Sequence, residues 1–578
     1  MGDGEAQWIT VEVDENLARD LATALPVPLP VAKVLLARGI GTAEAAARFL
    51  HPRLSDLTDP FEISGMRPAV DRLWRAIDGQ ERITVYGDYD ADGVTATALL
   101  MLVLRHFGAV ADFFIPRRLE DGYGFTLGAL EKVIDATHPS LIVTADCGTR
   151  SAAVVAEAAQ RGIDVIITDH HEGLGPVLPD AVSLINPKIS GPPCTEMLAG
   201  VGVVFKLCHA MVKQALSDGR PMAGTLDLRE FLDLVAIGTV ADVVPLTGEN
   251  RTLVRYGLNR LNGAVQRCGI QALMRVAGVR TRIDCYHLGF LIGPRLNAAG
   301  RLGSAELGLE LLMTLDAGRA RRLAGQLDAS NRERKRIEES IIEEAAAEVE
   351  ASFDPARSFG LVASRRGWHV GTIGIVAARI AGRFRRPSVV IAVSEEGIGR
   401  ASCRSVDSVN LVTILDQCAD LLLSYGGHSM AAGFTIAEAN IDAFRSRFNA
   451  SCRGCIQDSD MVVTHVVDAW ISLGEADQAL VESVESLRPL GLGNQTPIWG
   501  SRGVRILGQP KPVGGSHVKM TLVSGATQVD AIGFGMAGRK FGKGELDVLF
   551  QVQQNSYMGK ESIQLSLKDF RFRESEQA

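Results

Sequence analysis

The sequence predicts an α/β multidomain protein: a parallel-sheet domain, a long connector helix, a second α/β block and a small β-barrel towards the C-terminal end. Three observations carry this. From Ile83 to about Val244, short apolar runs alternate with longer amphipathic stretches, as they do when crossover helices join parallel strands. From about Ala305 to Phe353 the chain becomes a polar helical run with many i,i+4 charge pairs. After that, five β runs crowd into the last stretch, separated by turn residues. A chain of 578 residues with 46% hydrophobic content has material for several cores of this kind.

Residues 1–78 carry helical patterns and a proline-rich patch, ALPVPLPVAKVLLARG, and are expected as an N-terminal helical extension. In residues 79–304, ITVYG, ADFFI, LIVTAD, DVIITD and AVSLINP read as buried strands, with TATALLMLVLRHFG and AAVVAEAAQRG as helices between them. Residues 305–354 are the expected connector helix and 355–457 the second α/β block. In 458–578 the runs GVRILG, HVKMTLVS, QVDAIGFG, LDVLFQVQ and SIQLSLKDFRF suggest a small antiparallel barrel, for which an OB-fold is the natural candidate. GFGMAG (533–538) fits a dinucleotide-binding G-x-G-x-x-G, but it lies in the β-rich region with no long helix after it, so it reads as a turn. No phosphate-binding loop with its glycine-rich and Lys-Ser/Thr context occurs, and no nucleotide cofactor is expected.

No apolar stretch is long and uncharged enough to predict a membrane span. The acidic start, MGDGEAQWITVEVDENLARD, does not read as a secretory signal. The nine cysteines lack a framework, which predicts reduced thiols and a cytoplasmic protein. Cys452 and Cys455 have CxxC spacing but no second pair to complete a zinc site. The net charge of −8 argues against coating nucleic acid through bulk charge, but not against gripping a short stretch in a basic channel.

The chemistry concentrates in ITVYGDYDADGVTATALL, where a strand ends in Asp88, Asp90 and Asp92. Three carboxylates in five residues repel one another and persist where cations or donors neutralise them. D-x-D-x-D-G also opens a calcium loop, but the twelfth position is Leu99 instead of a bidentate Glu, and a strand precedes it instead of a helix. Later runs end in Asp146 and in Asp169, His170 and His171, and Asp242 stands in the apolar stretch DLVAIGTVADVVPL. Any one of these could be a satisfied core carboxylate, a cap or a packed histidine. Together they are expected beyond the carboxyl ends of strands, where ligands gather in open α/β sheets. Carboxylate mixed with imidazole and no thiolate suits Mn²⁺ or Mg²⁺, and several carboxylates in one site suggest two ions, an arrangement suited to in-line attack at phosphorus.

These residues resemble the DHH phosphoesterase superfamily, named for the triplet seen here as Asp169-His170-His171. Its motifs occur in order as YGDYDADG (86–93), Asp146, the triplet and GTVADVVPL (238–246). The resemblance implies a parallel-sheet DHH domain with Asp90, Asp92, Asp146, His170 and Asp242 as metal ligands. Asp88 and Asp169 are implied supports, and His171 is implied to reach a ligand or the scissile phosphate. Some members carry a ligating His where this chain has Tyr86, so one ion would lack that ligand. GWHVGTIGIVAARI (367–380), RASCRS (400–405) and GGHSMAAGF (426–434) look like a DHHA1 substrate domain. GPRLNAAGRLGSAE (293–306), PLGLGNQTPIW (489–499) and SHVKM (516–520) look like motifs of the RecJ branch. That branch implies a single-stranded-DNA-specific 5′→3′ exonuclease acting in recombination and repair, with a helicase and a single-strand-binding protein as partners.

A strand must be held by its phosphates and stacked on its bases. Arg404 with Ser402 and Ser405, His428 among glycines, and Arg295, Asn297 and Arg301 are candidate phosphate contacts. The resemblance places Arg118 and Tyr123 near the 5′ end. For each arginine the alternative is a salt bridge, and for Trp368 it is core packing. RERKR (332–336) and RFRR (383–386) are either solvated faces or part of the strand's path. The rival enzymes are a short-oligonucleotide or cyclic-dinucleotide phosphodiesterase and a manganese pyrophosphatase. A replication scaffold that has lost its ligands is the rival outside catalysis.

Overall fold

The computed structural model describes residues 6–573 apart from 119, 123, 173–176, 265, 543 and 558–559. The chain falls into two compact units. One spans Leu57–Met461, and the other joins the segment up to Asp56 with that from Val462 onward. The stretch expected as one N-terminal extension is thus divided. Its helices Glu15–Ala24, Leu29–Ala37 and Ala43–Leu50 bury Leu21, Val34, Leu35 and Leu50 in the same core as Trp499, Phe550 and Leu565. The helix Met66–Asp78 belongs to the other unit.

The first sheet is wholly parallel, in the order Val110–Phe114, Arg82–Gly87, Leu141–Ala145, Asp164–Thr168, Ser183–Ile185. Leu141–Ala145 is buried along its whole length, which is why it reads as an uninterrupted apolar run. The winding reverses between Arg82–Gly87 and Leu141–Ala145. That switch point opens a crevice beyond the carboxyl ends of these two strands, the ones that end at Asp88 and Asp146. The helices Ala91–His106, Gly200–Ser217 and Leu232–Ala241 pack on one another beside it.

The expected connector is two helices, Glu306–Met313 and Ala317–Ser352. The break lies where the Asp316 side chain accepts from Arg319 N at 2.8 Å and caps the second helix, so the polar periodicity starts afresh there. The second helix has 36 residues, about 54 Å. It buries Leu323 and Leu327 and, further along, Ile341 and Val349. It packs against Cys268–Val276 and Gly293–Leu302 before it and against Leu361–Arg366 and Ile373–Phe384 after it. The second sheet is mixed: Leu361–Arg366 and Ser388–Val393 pair in parallel, and Ile398–Arg404, Ala431–Ala437 and Leu422–Gly427 continue antiparallel.

The last domain is a closed barrel of Trp499–Val513, His517–Ser524, Thr527–Gly533, Lys560–Phe572 and Leu546–Tyr557, the last pairing back to the first. It is not fully antiparallel, because Thr527–Gly533 and Lys560–Phe572 run parallel. An odd number of strands cannot alternate in direction around a closed ring, so one parallel pair is unavoidable. GFGMAG leaves Thr527–Gly533 into a turn with Gly535 at φ +71°, and no helix follows among the described residues.

Candidate active site

Asp90 caps the helix Ala91–His106, its side chain accepting from Asp92 N at 3.0 Å and Gly93 N at 3.1 Å. This fixes the turn after the strand and leaves Asp88, Asp90 and Asp92 on a short path along the crevice. Asp92 is buried and accepts from Gly200 N at 2.7 Å and Val201 N at 2.9 Å, so the N-terminus of Gly200–Ser217 holds its carboxylate. The glycines permit the approach. A Cβ at Gly200 would stand 2.4 Å from Asp146 Oδ1, and one at Gly238 would stand 2.7 Å from Asp92 Oδ1. Asp146 itself takes φ +69°, a left-handed turn directly after its strand.

Asp242 differs from the other acids. It follows the helix Leu232–Ala241 instead of a strand, so only three of the four acidic segments lie at strand ends. A largely apolar helix packed on its neighbours, here carrying only Asp233 and Thr239 as polar residues, has the same apolar signature as a buried strand.

Three groups of side chains bring ligand atoms within 4.8 Å of one another: Asp146, His170 and His171; Asp92, His170 and Asp242; and Asp88, Asp90 and Asp146. His170 Nε2 lies 3.1 Å from Asp146 Oδ1, 3.6 Å from Asp242 Oδ2 and 3.9 Å from Asp92 Oδ2. The 3.1 Å approach lacks hydrogen-bond alignment, so Asp146 Oδ1 and His170 Nε2 are both buried without a hydrogen-bond partner. Asp88 therefore stands among the ligand-type groups and not only behind them. Asp169 is outside all three groups. It accepts from Thr149 N at 2.8 Å, His170 N at 2.7 Å and His171 Nδ1 at 2.7 Å, which orients the histidine pair. Tyr86 is buried in the core, its hydroxyl donating to Gly124 O at 2.9 Å and its ring stacked on Phe114, so it offers the site nothing.

The electrostatics match this crowding. Burial and then the neighbouring Asp90 push Asp88 up to about 8 and Asp92 up to about 7. Burial and the surrounding carboxylates hold Asp146 and Asp242 well above the usual range. Burial, followed by the charge of His171, lowers His170 to about 3, so its imidazole is neutral and able to ligate. Asp169 is opposite in sense: burial opposes ionisation, but the hydrogen bonds from His171 and Thr149 hold it below the usual value. Buried acids that resist ionisation together with unpartnered acceptor atoms suit a divalent cation, and the residues present fit one.

Beside this centre lies a basic cleft of about 790 Å³ lined by Arg118, Arg400, Ser402, Arg404, Tyr425 and the glycines of the Gly-Gly-His turn. Arg118 sits over the Tyr89 ring at 5.3 Å. Gly374, in the first turn of Ile373–Phe384, approaches Ser402 Oγ and the Arg404 guanidinium so closely that a Cβ would stand 3.2 Å from each. A helix N-terminus and a guanidinium therefore face one spot, as a phosphate requires. Arg301 donates to Gly371 O at 3.2 Å, and burial, then Arg118 and Arg334, lowers it to about 10. Clustered cations of this kind favour an anion between them. His428 is held low by burial and then by Arg404 and Arg150, and it also senses His171 across the cleft.

Several expected substrate contacts are committed elsewhere. Arg295 donates to Asp328 on the long helix at 3.0 Å and to Leu291 O at 2.7 Å. Asn297 Oδ1 accepts from Ala91 N at 2.6 Å and so supports the acidic turn. Ser405 donates to Val409 O. Trp368 is core packing, 7% exposed with its indole N–H on Glu344 at 2.9 Å. In RERKR, Arg334 pairs with Glu338 and Arg336 with Glu333. In RFRR, Arg383 pairs with Glu350, and Arg386 donates to Ser358 O at 2.7 Å. Tyr123 lies outside the described residues.

Sequence reasoning also missed residues the fold brings in. Asn186 donates to Thr149 Oγ1 at 2.9 Å and to His171 O at 2.8 Å, tying the triplet to the next strand. Lys188 follows it, and its charge acts on both His170 and Asp242. The signal was Asn-Pro-Lys directly after the apolar run AVSLI.

Family models match along the chain: the DHH family N-terminal domain over residues 82–239, the DHHA1 domain over 358–454 and the RecJ OB domain over 467–569. The chain is 36% identical over 573 residues to the single-stranded-DNA-specific exonuclease RecJ of Bacillus subtilis, covering 97% of this chain and 70% of that protein. It is 36% identical over 579 residues to the Escherichia coli protein of the same name, covering 96% and 97%. Among solved structures, RecJ from Thermus thermophilus in complex with Mn²⁺ superposes with a TM-score of 0.85 at 30% identity, covering 99% of this chain and 81% of that one. With the metal-type cluster at the sheet's switch point, the basic cleft beside it and homology along nearly the whole chain, this protein belongs to the RecJ family.

Proposed function

We propose that this protein is a metal-dependent exonuclease that hydrolyses single-stranded DNA processively from the 5′ end and releases 5′-mononucleotides. The observation that carries the reading is the buried cluster of carboxylates and imidazole, with Asp146 Oδ1 and His170 Nε2 unpartnered, beside a cleft built for phosphate. The relatives named above as single-stranded-DNA-specific exonucleases support it.

Asp88, Asp90, Asp92, Asp146, His170 and Asp242 would hold two divalent ions, Mn²⁺ or Mg²⁺, which lower the pKa of an attacking water and spread the charge on the phosphate oxygens. The protein's own groups do the rest. Arg404, Ser402 and the N-terminus of Ile373–Phe384 bind a terminal phosphate, and Arg118 and Arg301 add charge on its approach. Asp169 fixes the ring of His171 through Nδ1 and so sets how the imidazole is presented to substrate. Lys188 offsets the negative charge that gathers near Asp242. A terminal-phosphate pocket at one end of the site accounts for exonuclease action and for a fixed polarity. Roles in recombination and repair, helicase and single-strand-binding partners, and a cytoplasmic location complete the proposal.

The test is incubation with Mn²⁺ and 5′-labelled single-stranded, duplex and dinucleotide substrates. Mononucleotides released from the labelled end of single strands alone are the expected result. Preference for dinucleotides, or release from the 3′ end first, would overturn the reading.

A further inference from the structure

A second nucleic-acid feature stands outside the cleft. Residues His287–Ile292 form a π-helix, a rare conformation frequent at functional sites, and it runs directly into Gly293–Leu302. Tyr286 and Phe290 project from it with 59% and 67% of their surface exposed. Their rings stack on each other, 5.1 Å between centroids and 26° between planes. Two large aromatic side chains held together in solvent are costly unless a partner covers them.

The position of the pair is set by its neighbours. The π-helix packs on the helix that ends at Asp242. A Cβ at Gly289 would meet Val240 at 3.7 Å, and one at Gly293 would meet Ala241 at 3.0 Å. Val243, the residue after Asp242, is 64% exposed. The aromatic pair therefore lies next to the Asp242 edge of the metal centre. The loop before it carries Arg280 and Arg282, both exposed and neither in a hydrogen bond or ion pair among the described residues. That loop is held in place. Asn262 exchanges two hydrogen bonds with Ile283, at 2.8 and 2.9 Å, and His287 Nδ1 lies 2.7 Å from Asp284 Oδ1.

We propose that Tyr286 and Phe290, flanked by Arg280 and Arg282, form a stacking platform for unpaired bases of the DNA strand on the Asp242 side of the metal centre. Open π-faces beside unpaired guanidinium groups are the chemistry that holds single-stranded nucleic acid without regard to sequence. Continuity with the metal centre selects the substrate strand over any other occupant. The proposal rests on the exonuclease reading for the strand's path. The platform takes bases beyond the cleaved bond, which a strand of a few nucleotides would not reach.

The experiment uses the full chain in EDTA and fluorescence anisotropy with labelled oligo(dT). For a strand of about 20 nucleotides, Tyr286→Ala with Phe290→Ala should weaken binding about tenfold or more, with a strand of about four nucleotides unaffected. Tyr286→Phe with Phe290→Tyr should bind as the parent does, whereas leucine at both positions should not. Unchanged affinity for the long strand overturns the platform, and so does a change in oligomeric state in place of affinity. Mononucleotide release from the short strand, measured separately with Mn²⁺, reports on the exonuclease reading alone. Its loss in the parent protein would sink that reading whatever the anisotropy shows.

Discussion

Asp146 concentrates the conflict between folding and function in one residue. Its carboxylate is buried, its Oδ1 has no hydrogen-bond partner, and its neighbours are acids and a neutral histidine. Removing that charge should stabilise the metal-free protein and abolish turnover. Asp146→Asn is therefore expected to raise Tm by a few degrees in EDTA while mononucleotide release disappears. A variant that stays active refutes the site. The same groups set a pH dependence. Asp88 and Asp92 rise from ordinary values near 3.8 to about 8 and about 7, so the folded state binds protons that the unfolded state releases. Their contribution to stability is favourable at low pH and is lost as pH rises from about 4 to about 8. Mn²⁺ binds the charged forms, so the Tm gained on adding it should grow across that window. A gain independent of pH would argue against metal binding at these acids. Arg295 makes the opposite case, a motif arginine whose partner is structural. Its pair with Asp328 is nearly buried at both ends, and Arg295→Ala should cost about 3–5 kcal/mol of stability without raising KM for a short strand. A raised KM at unchanged Tm would return it to the substrate.

At the scale of elements, helices and strands bring the ligands to one place by different routes. Strand ends deliver Asp88, Asp146 and His170, while the end of Leu232–Ala241 delivers Asp242 and the start of Gly200–Ser217 grips Asp92. The close approach of these helices depends on missing side chains. Gly200→Ala would place a methyl group 2.4 Å from Asp146 Oδ1, with little freedom for either side to move. A cost of about 1–3 kcal/mol and a clear loss of Mn²⁺ affinity are expected, measurable by calorimetric titration. Wild-type affinity would show that the helix can retreat without disturbing the acids. The alternation of apolar runs made the parallel sheet legible, and the barrel's five strands were legible for the same reason. The break in the connector at Asp316 was not, because a capping residue inside a charged helical run looks like one more polar position.

At the scale of the whole chain, the division into units does not follow sequence order. The N-terminal segment completes the core of the C-terminal barrel, and Arg38 donates to Gln495 O at 2.6 Å in the loop that leads into it. The ligand-type acids and histidines and the residues of the basic cleft lie in Leu57–Met461. This piece, expressed alone, should fold, bind Mn²⁺ and cleave short strands. The C-terminal piece without residues 1–56 should expose Trp499 and its neighbours and aggregate. Far-ultraviolet circular dichroism and light scattering on the two fragments check both outcomes. A soluble, cooperatively melting C-terminal fragment would contradict the shared core.

Sequence alone determined the alternation of strands and helices, the family motifs and the crowding of acids after one strand, because these depend on neighbours within a few positions. It did not determine which motif residues touch substrate. Arg295, Asn297, Ser405 and Trp368 are spent on the protein's own backbone and side chains, while the charge of Lys188 acts on His170 and Asp242 and the first turn of Ile373–Phe384 comes up against Ser402 and Arg404. Val409 is only four positions from Ser405, but Asp328 lies 33 from Arg295 and Ala91 lies 206 from Asn297. Only packing at the sheet's switch point and along the long helix decides which donor meets which acceptor.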